Sequence, residues 1–119
     1  MLNRCVLIGR LTRDPELRYT QSGKSVCSFS LAVDRPYKDA DGQKQTDFIN
    51  ITVWGKQGEN CANYLSKGKL AAVDGRLQQQ SYEKNGQKVV SAVVVADAVA
   101  FLSPRDQSVT PDYSEGEPF

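Results

Sequence analysis

The sequence predicts an all-β domain, and three observations support that prediction. An alternation of apolar and polar residues starts at Cys27, a second one covers residues 48–54, and Asn85-Gly86 is a strong hairpin signal between two further apolar runs. Alternation with a period of two is typical of a strand that buries one face. The chain has 119 residues, which suits one domain with a single core.

The first half of the chain predicts two strands. The apolar run 5–8 indicates the first strand, which the turn signal Asp14-Pro15 ends. The alternating stretch from Cys27 indicates the second strand. The polar stretch 35–46 is expected to form a long hairpin loop.

The third predicted strand, residues 48–54, has two faces of different character. Its β-branched apolar residues alternate and are expected to face the core; they are Ile49, Ile51 and Val53. Phe48 and Trp54 then lie on the opposite face, which also carries Asn50 and Thr52. The alternative is that this second face is also buried, against the helix or another subunit.

The second half predicts one helix and two strands. Residues 57–67 have helical spacing, with Gly68 as the expected C-cap. Strands from Leu70 and over 88–102 follow, and Val73 and Leu77 of the first are expected to face the core. Five strands with one short helix before the fourth favour an OB-fold, a five-stranded Greek-key barrel, with a small β-sandwich as the alternative.

Four aromatic residues have polar or cationic neighbours rather than an apolar stripe. Two are Phe48 and Trp54; Tyr82 shares a strand face with Arg76, and Tyr37 lies in the polar stretch between two cations. A nucleobase stacked on an aromatic ring contributes about 1–3 kcal/mol whatever the base, and nearby cations neutralise phosphates. For each candidate phosphate-facing cation, the alternative is a solvated surface position. The candidates are Arg10, Arg13, Arg18, Arg35, Lys38, Lys44, Lys56, Arg76, Lys84 and Lys88.

The net charge of +1 conceals an uneven distribution. Residues 1–103 carry 14 Lys or Arg against 10 Asp or Glu, a net charge of +4, whereas 104–119 carry one Arg against four acidic residues, a net charge of −3. The second segment also contains three prolines and few apolar residues. The sequence therefore predicts a basic folded domain over 1–103 and a disordered acidic tail over 104–119.

Several chemistries lack the residues that they need. The chain has no histidine, so a Ser/His/Asp or Cys/His catalytic set is absent, and Cys5, Cys27 and Cys61 fit neither a disulfide framework nor a zinc site. Buried thiols in a reducing cytoplasm are expected instead. Gly23-Lys24-Ser25 imitates the end of a phosphate loop, but Arg18 stands where that loop needs its first glycine. We expect a non-enzymatic protein without metal or cofactor.

No membrane-spanning run or leader is apparent, so the protein is expected to stay in the compartment where it is made. That compartment is expected to be the cytoplasm.

The sequence resembles the bacterial single-stranded DNA-binding protein family over residues 1 to about 103. The resemblance is carried by the run LIGRLTRDPELRY at 7–19 and by the stretches 29–33, 46–54, 64–68, 74–77, 95–97 and 101–102. It implies an OB-fold, a homotetramer, and single-stranded DNA wrapped around its outside. The family's base-stacking positions correspond to Tyr37, Phe48, Trp54 and Tyr82, where two positions often held by tryptophan are tyrosine.

The resemblance extends to the end of the tail. Members of the family end in an acidic tip that closes in Pro-Phe and recruits replication and repair enzymes. The corresponding candidate partner-binding residues are Asp112, Glu115, Glu117, Pro118 and Phe119. The tail is short for the family, and Gly116 separates glutamates where the family has adjacent aspartates.

The resulting prediction is binding and protection of single-stranded DNA in replication, recombination and repair, without base-sequence preference. Three alternatives stay open: an RNA-binding OB module that resembles cold-shock proteins, an assembly adaptor whose exposed aromatics are subunit contacts, and a nuclease.

Overall fold

The computed structural model describes residues 1–103, and the predicted tail 104–119 lies outside the described residues. The described part contains six strands and one helix. In chain order these are β1 (Cys5–Leu11), β2 (Glu16–Tyr19), β3 (Ser25–Lys38), β4 (Lys44–Trp54), α1 (Lys56–Tyr64), β5 (Leu70–Lys84) and β6 (Gln87–Phe101). The short strand β2 was not predicted from the sequence.

Five of the strands close into a barrel. The order of hydrogen-bonded neighbours is β1-β5-β6-β4-β3, and β3 pairs again with β1 through Arg10–Ala32 and Leu11–Leu31. All pairings are antiparallel except that of β4 with β6. The strand β2 pairs only with β3, as an extension of the barrel wall. The predicted OB-fold, with one helix before the fourth barrel strand, is confirmed.

Each barrel strand contributes its inward-facing side chains to one core. The largest side chains that are almost fully buried are Phe29, Leu31, Ile51, Val53, Val73 and Val94. Cys27 is also fully buried, so the predicted alternation along β3 is confirmed. The helix α1 closes one end of the barrel with Cys61, and Leu65 follows it into the core.

The helix is shorter than the sequence predicts. It ends at Tyr64, because Leu65 turns to an extended conformation while its backbone N–H still bonds the Cys61 carbonyl. Gly68, expected as the C-cap, lies in the next turn instead, where φ is 87°. There its N–H donates to the carbonyl of Leu11, which joins this turn to the end of β1.

The polar stretch 35–46 is a hairpin of extended strands rather than a long loop. β3 continues to Lys38 and β4 starts at Lys44, so the turn between them is short. The Asp39 carboxylate accepts hydrogen bonds from the backbone N–H groups of Asp41 and Gln43, which fixes this turn. Further along the hairpin, polar side chains pair across the two strands. The apolar alternation from which a strand is predicted is therefore missing in this stretch.

The β5–β6 hairpin also extends beyond the barrel. Its turn is the predicted Asn85-Gly86, with φ of 54° and 79° at the two residues. Leu77, predicted to face the core, is instead 49% exposed, because β5 has left the barrel by that point. Within residues 1–103, no helix is long and apolar enough to cross a membrane.

Candidate nucleic-acid interface

The four candidate aromatic residues are exposed on the described chain. The exposed fractions are 61% for Tyr37, 69% for Phe48, 46% for Trp54 and 51% for Tyr82. Among residues 1–103 the one ring pair is Tyr64 with Phe101, so none of the four rings stacks on another protein ring. Their faces are open to a flat ligand.

The outward face of β4 is flanked by arginines on neighbouring strands. Trp54 lies opposite Val26 of β3, and Val26 lies opposite Arg18 of β2. Directly opposed residues present their side chains on the same face of a sheet. Arg18 and Trp54 are therefore on one face, two strand spacings or roughly 10 Å apart.

Phe48 has a similar neighbour on the same outward face, further towards the start of β4. It lies opposite Ala32 of β3, and Ala32 lies opposite Arg10 of β1. The Arg10 guanidinium donates to the carbonyl of Gly68 at 2.9 Å, which anchors it near this row while leaving most of its donors free.

The parallel pairing of β4 with β6 continues this face onto β5. Thr52 lies opposite Val95, which lies opposite Arg76. Tyr82 follows Arg76 by six residues on the same strand face, which corresponds to about 20 Å of strand. Because β5 runs antiparallel to β4, Tyr82 lies towards the Phe48 end of the face. We call this surface, defined by Phe48, Trp54, Arg76 and Tyr82, the aromatic face.

Tyr37 is positioned differently from the other three rings. Asp47 lies opposite Val33, a residue that packs against the core, so Asp47 lies on the core-facing side of its hairpin. The Arg35 guanidinium reaches Asp47 through two hydrogen bonds of 3.0 and 2.9 Å. The hydrogen bond to Asp47 raises the pKa of Arg35, with a smaller contribution from Tyr37. Tyr37 therefore lies beside Arg35, in the segment where the register of β3 against β4 shifts.

The candidate cations divide by whether they have partners. Arg35 is held by Asp47, Arg76 lies 3.4 Å from Asp97, and Lys56 lies 3.8 Å from Glu59. The other candidates apart from Arg10 make no side-chain hydrogen bond or ion pair within the described part of the chain. They are Arg13, Arg18, Lys38, Lys44, Lys84 and Lys88. These unpaired cations are the ones most available to phosphates.

The tip of the β3–β4 hairpin carries two like charges in register. Lys38 lies directly opposite Lys44, and neither has an acidic partner in residues 1–103. Like charges directly opposed across strands destabilise the pair. The hairpin tip therefore keeps two repelling positive charges at a local cost in stability, and such costs occur at functional sites.

The structure also brings forward a residue that the sequence reasoning passed over. Lys24 lines an open pocket of about 480 Å³ together with Trp54, Gly23, Ser25 and Gly55. Lys24 belongs to the Gly23-Lys24-Ser25 motif, which does not fit a phosphate loop. From the sequence, Lys24 is only a lysine in a turn. The pairing of β3 with β4 shows that this turn lies beside Trp54.

The cysteines behave as small apolar residues. Cys27 and Cys61 are fully buried and unbridged, whereas Cys5 is half-buried. Burial raises the pKa of Cys27 to about 11 and that of Cys61 to about 12, so both thiols stay protonated at neutral pH. Within residues 1–103, no three His, Cys, Asp or Glu side chains converge into a possible metal site.

The closed barrel defines an OB-fold protein, and the aromatic face is its candidate ligand-binding surface. The model of the Single-strand binding protein family matches residues 2–102. This chain belongs to that family.

Individual relatives agree with this assignment. A protein named single-stranded DNA-binding protein from Halalkalibacterium halodurans is 58% identical over 106 residues, which cover 88% of this chain and 63% of the relative. A protein of the same name from Staphylococcus aureus is 59% identical over 111 residues, covering 92% of this chain and 71% of the relative. These relatives are named as binding proteins and not as enzymes, in agreement with the prediction from the sequence.

A solved structure shares the fold. It is a deletion mutant of the single-stranded DNA binding protein from Thermus aquaticus, with a TM-score of 0.73 and 34% sequence identity. The match covers 87% of this chain and 52% of the other chain, so this chain spans about half the length of that protein.

The Arg35–Asp47 pair predicts a pH dependence of stability. The hydrogen bond from Arg35 holds the pKa of Asp47 below its ordinary value. A carboxyl whose pKa is lower in the folded state stabilises the fold above its unfolded pKa of about 4, and this contribution disappears as the pH falls through the lower folded value. Asp47→Asn should therefore lower the Tm at neutral pH, and its difference from wild type should shrink in acid.

Thermal denaturation followed by circular dichroism across this pH range checks the prediction. Asp41→Asn is the matched control, because Asp41 lies in the turn of the same hairpin and its carboxylate has no cationic partner in residues 1–103. A difference between Asp47→Asn and wild type that persists unchanged in acid would contradict the role given to the pair.

Proposed function

We propose that this chain binds single-stranded DNA without base-sequence preference, across the aromatic face. The observation that carries the proposal is the placement of Phe48 and Trp54 on one outward strand face with arginines in the same cross-strand rows. Stacking on these rings is open to every base, because every base has a flat π-face. Binding therefore needs no contact with base edges.

In the proposed mechanism, aromatic side chains bind the bases and cationic side chains bind the phosphates. Bases stack on Phe48, Trp54 and Tyr82, while Tyr37 stacks a base where the strand passes around the β3–β4 hairpin. The unpaired lysines and arginines neutralise phosphates and release their counterions, which makes affinity fall with rising salt. A strand held in this way has its bases occupied and cannot pair, so it stays open and shielded during replication, recombination and repair.

We infer that the tail connects the bound strand to other proteins. Residues Asp112, Glu115, Glu117, Pro118 and Phe119 would dock replication and repair enzymes, as the family resemblance implies. Binding to chromosomal DNA would place the protein at the nucleoid in the cytoplasm.

We also infer a homotetramer, and β1 offers the surface for assembly. Val6 and Ile8 project outward from β1 and are 65% and 54% exposed. The first half of β1 pairs with β5 alone, since its pairing with β3 is confined to Arg10 and Leu11. An exposed apolar strand with one free edge is a surface on which a second copy can pair.

The stacking proposal predicts the effect of removing single rings. Phe48→Ala, Trp54→Ala and Tyr82→Ala should each weaken binding of a labelled oligothymidine by about 1–3 kcal/mol, measured by fluorescence anisotropy. Tyr64→Ala is the control, because Tyr64 is at least as exposed as Trp54 and Tyr82 but lies on α1 and packs near Phe101. Equal losses for Tyr64→Ala and the three variants would count against the aromatic face.

The same titration separates the alternative functions. Duplex DNA should bind much more weakly than oligothymidine, and a preference for RNA would favour the cold-shock-like module. Trp54 emission that responds to protein dilution but not to oligonucleotide would favour the assembly adaptor. Cleavage of labelled oligonucleotide with Mg²⁺ would favour a nuclease.

Assembly through β1 predicts a change of mass. Ile8→Asp places a charge on the proposed contact and should shift the protein from tetramer towards smaller species in sedimentation velocity experiments. Val90→Asp is the matched control, because Val90 is also 54% exposed but lies on the β5–β6 hairpin. A tetramer that survives Ile8→Asp unchanged would rule out this surface.

The opposite net charges of residues 1–103 and of the tail predict that the tail competes with DNA for the unpaired lysines and arginines. The tail of net charge −3 is expected to occupy these cations weakly until DNA displaces it. Deletion of 104–119 should raise affinity for oligothymidine at low salt, and the gain should fade as salt screens the charges. A full-length variant with the four tail acids changed to amides should reproduce the gain, and unchanged affinity in both would refute the hypothesis.

A further inference from the structure

The pocket beside Trp54 has a floor that is fixed by hydrogen bonds. The Gly55 N–H donates to the Ser25 carbonyl at 2.8 Å, and the Ser25 hydroxyl donates to the Gly55 carbonyl at 2.9 Å. Ser25 itself is 5% exposed, so its polar groups are satisfied inside the structure. The pocket is therefore a preformed feature of the junction between β3 and the end of β4.

The turn that carries Lys24 is also held in place. The N–H of Lys24 donates to the Thr20 hydroxyl at 3.1 Å, and the Lys24 carbonyl accepts from the Thr20 N–H at 2.8 Å. Gly23, with φ of 90°, completes the turn and donates to the Thr20 carbonyl. The backbone at Lys24 is fixed, whereas its side chain makes no hydrogen bond or ion pair within residues 1–103.

The only charge among the residues that line the pocket is positive. None of its lining residues is acidic, and Lys24 is its single charged member. Arg18 adds a second unpaired cation in the cross-strand row of Trp54. The neighbouring Glu59 lies 3.8 Å from Lys56 and so has a cation of its own. A half-exposed indole beside unpaired positive charge fits a ligand that is flat and anionic.

We propose that this pocket is a subsite for one nucleotide of the bound strand, whose base stacks on Trp54 and whose phosphate pairs with the Lys24 ammonium. The inference rests on the proposed function and adds to it a phosphate-binding residue outside the sequence-derived set. It also extends the path of the strand, since the DNA would continue from the outer face of β4 over the β2–β3 turn.

The test measures the salt dependence of binding in the full chain. Each phosphate contact on a single strand contributes about −0.7 to the slope of log affinity against log salt. Lys24→Gln should make the slope shallower by about 0.7, so that its deficit relative to wild type shrinks about threefold between roughly 50 and 200 mM salt. The ligand is an oligothymidine of about ten nucleotides, which lies in the range that one OB-fold covers.

Three further variants make the result specific. Lys67→Gln is the matched control, because Lys67 is an exposed lysine beyond the C-terminal end of α1. The pocket residue Gly55 precedes the helix, whose nine residues span about 14 Å, so Lys67 and the pocket lie at opposite ends of the helix. Lys24→Arg keeps the charge and should retain the wild-type slope. In combination with Trp54→Leu, Lys24→Gln should cost less affinity than it does alone, because the two residues hold the same nucleotide.

The outcomes separate this inference from the proposed function. A slope for Lys24→Gln equal to that of Lys67→Gln, with Phe48→Ala still weakening binding, would overturn the subsite and leave single-strand binding intact. Failure of the wild-type chain to bind oligothymidine would overturn both. Circular dichroism melts of each variant establish that the measured protein is folded.

Discussion

The alternation of side chains along β4 is the constraint on which the rest of the structure depends. Ile51 and Val53 are almost completely buried in the barrel, and Ile51 lies opposite Val94 where β4 meets β6. With these residues inside, Phe48 and Trp54 must lie outside. A register slip of one residue would bury the indole and expose the isoleucines, so the packing of the core and the exposure of the aromatic face are enforced together.

The long β5–β6 hairpin depends on a local irregularity at the edge of the barrel. Asp74 lies opposite Ala98 and Gly75 opposite Ala96, so Asp97 is an extra residue in β6. A Cβ atom at position 75 would overlap the Val95 carbonyl oxygen, which explains the glycine at this close approach. Bulges bend and twist a strand pair, and this one lies immediately before the segment that carries Arg76 and Tyr82.

The sequence predicts the structure correctly where the alternation of apolar and polar residues is strong. It does not predict the structure where contacts between residues distant in sequence determine the conformation. The faces of β4 were predictable because strongly apolar β-branched residues alternate there. The hairpin over 35–46 was missed because hydrogen-bonded polar pairs, such as Thr46 with Asp34, extend the strands without an apolar signal. The exposure of Leu77 was missed because periodicity assigns a face but does not show where a strand leaves the barrel. Lys24 was missed because its neighbour Trp54 is distant in sequence.

The β3–β4 hairpin shows how paired and unpaired charges can serve different purposes within one element. Arg35 and Asp47 satisfy each other through two parallel hydrogen bonds, a geometry that fixes orientation as well as charge. This pair stiffens the hairpin near Phe48. At the tip, Lys38 and Lys44 repel each other and gain a partner only if an anion arrives. The hairpin is therefore positioned before any ligand arrives, and its free charge is concentrated at its end, so the binding proposed above would require little reorganisation of the protein.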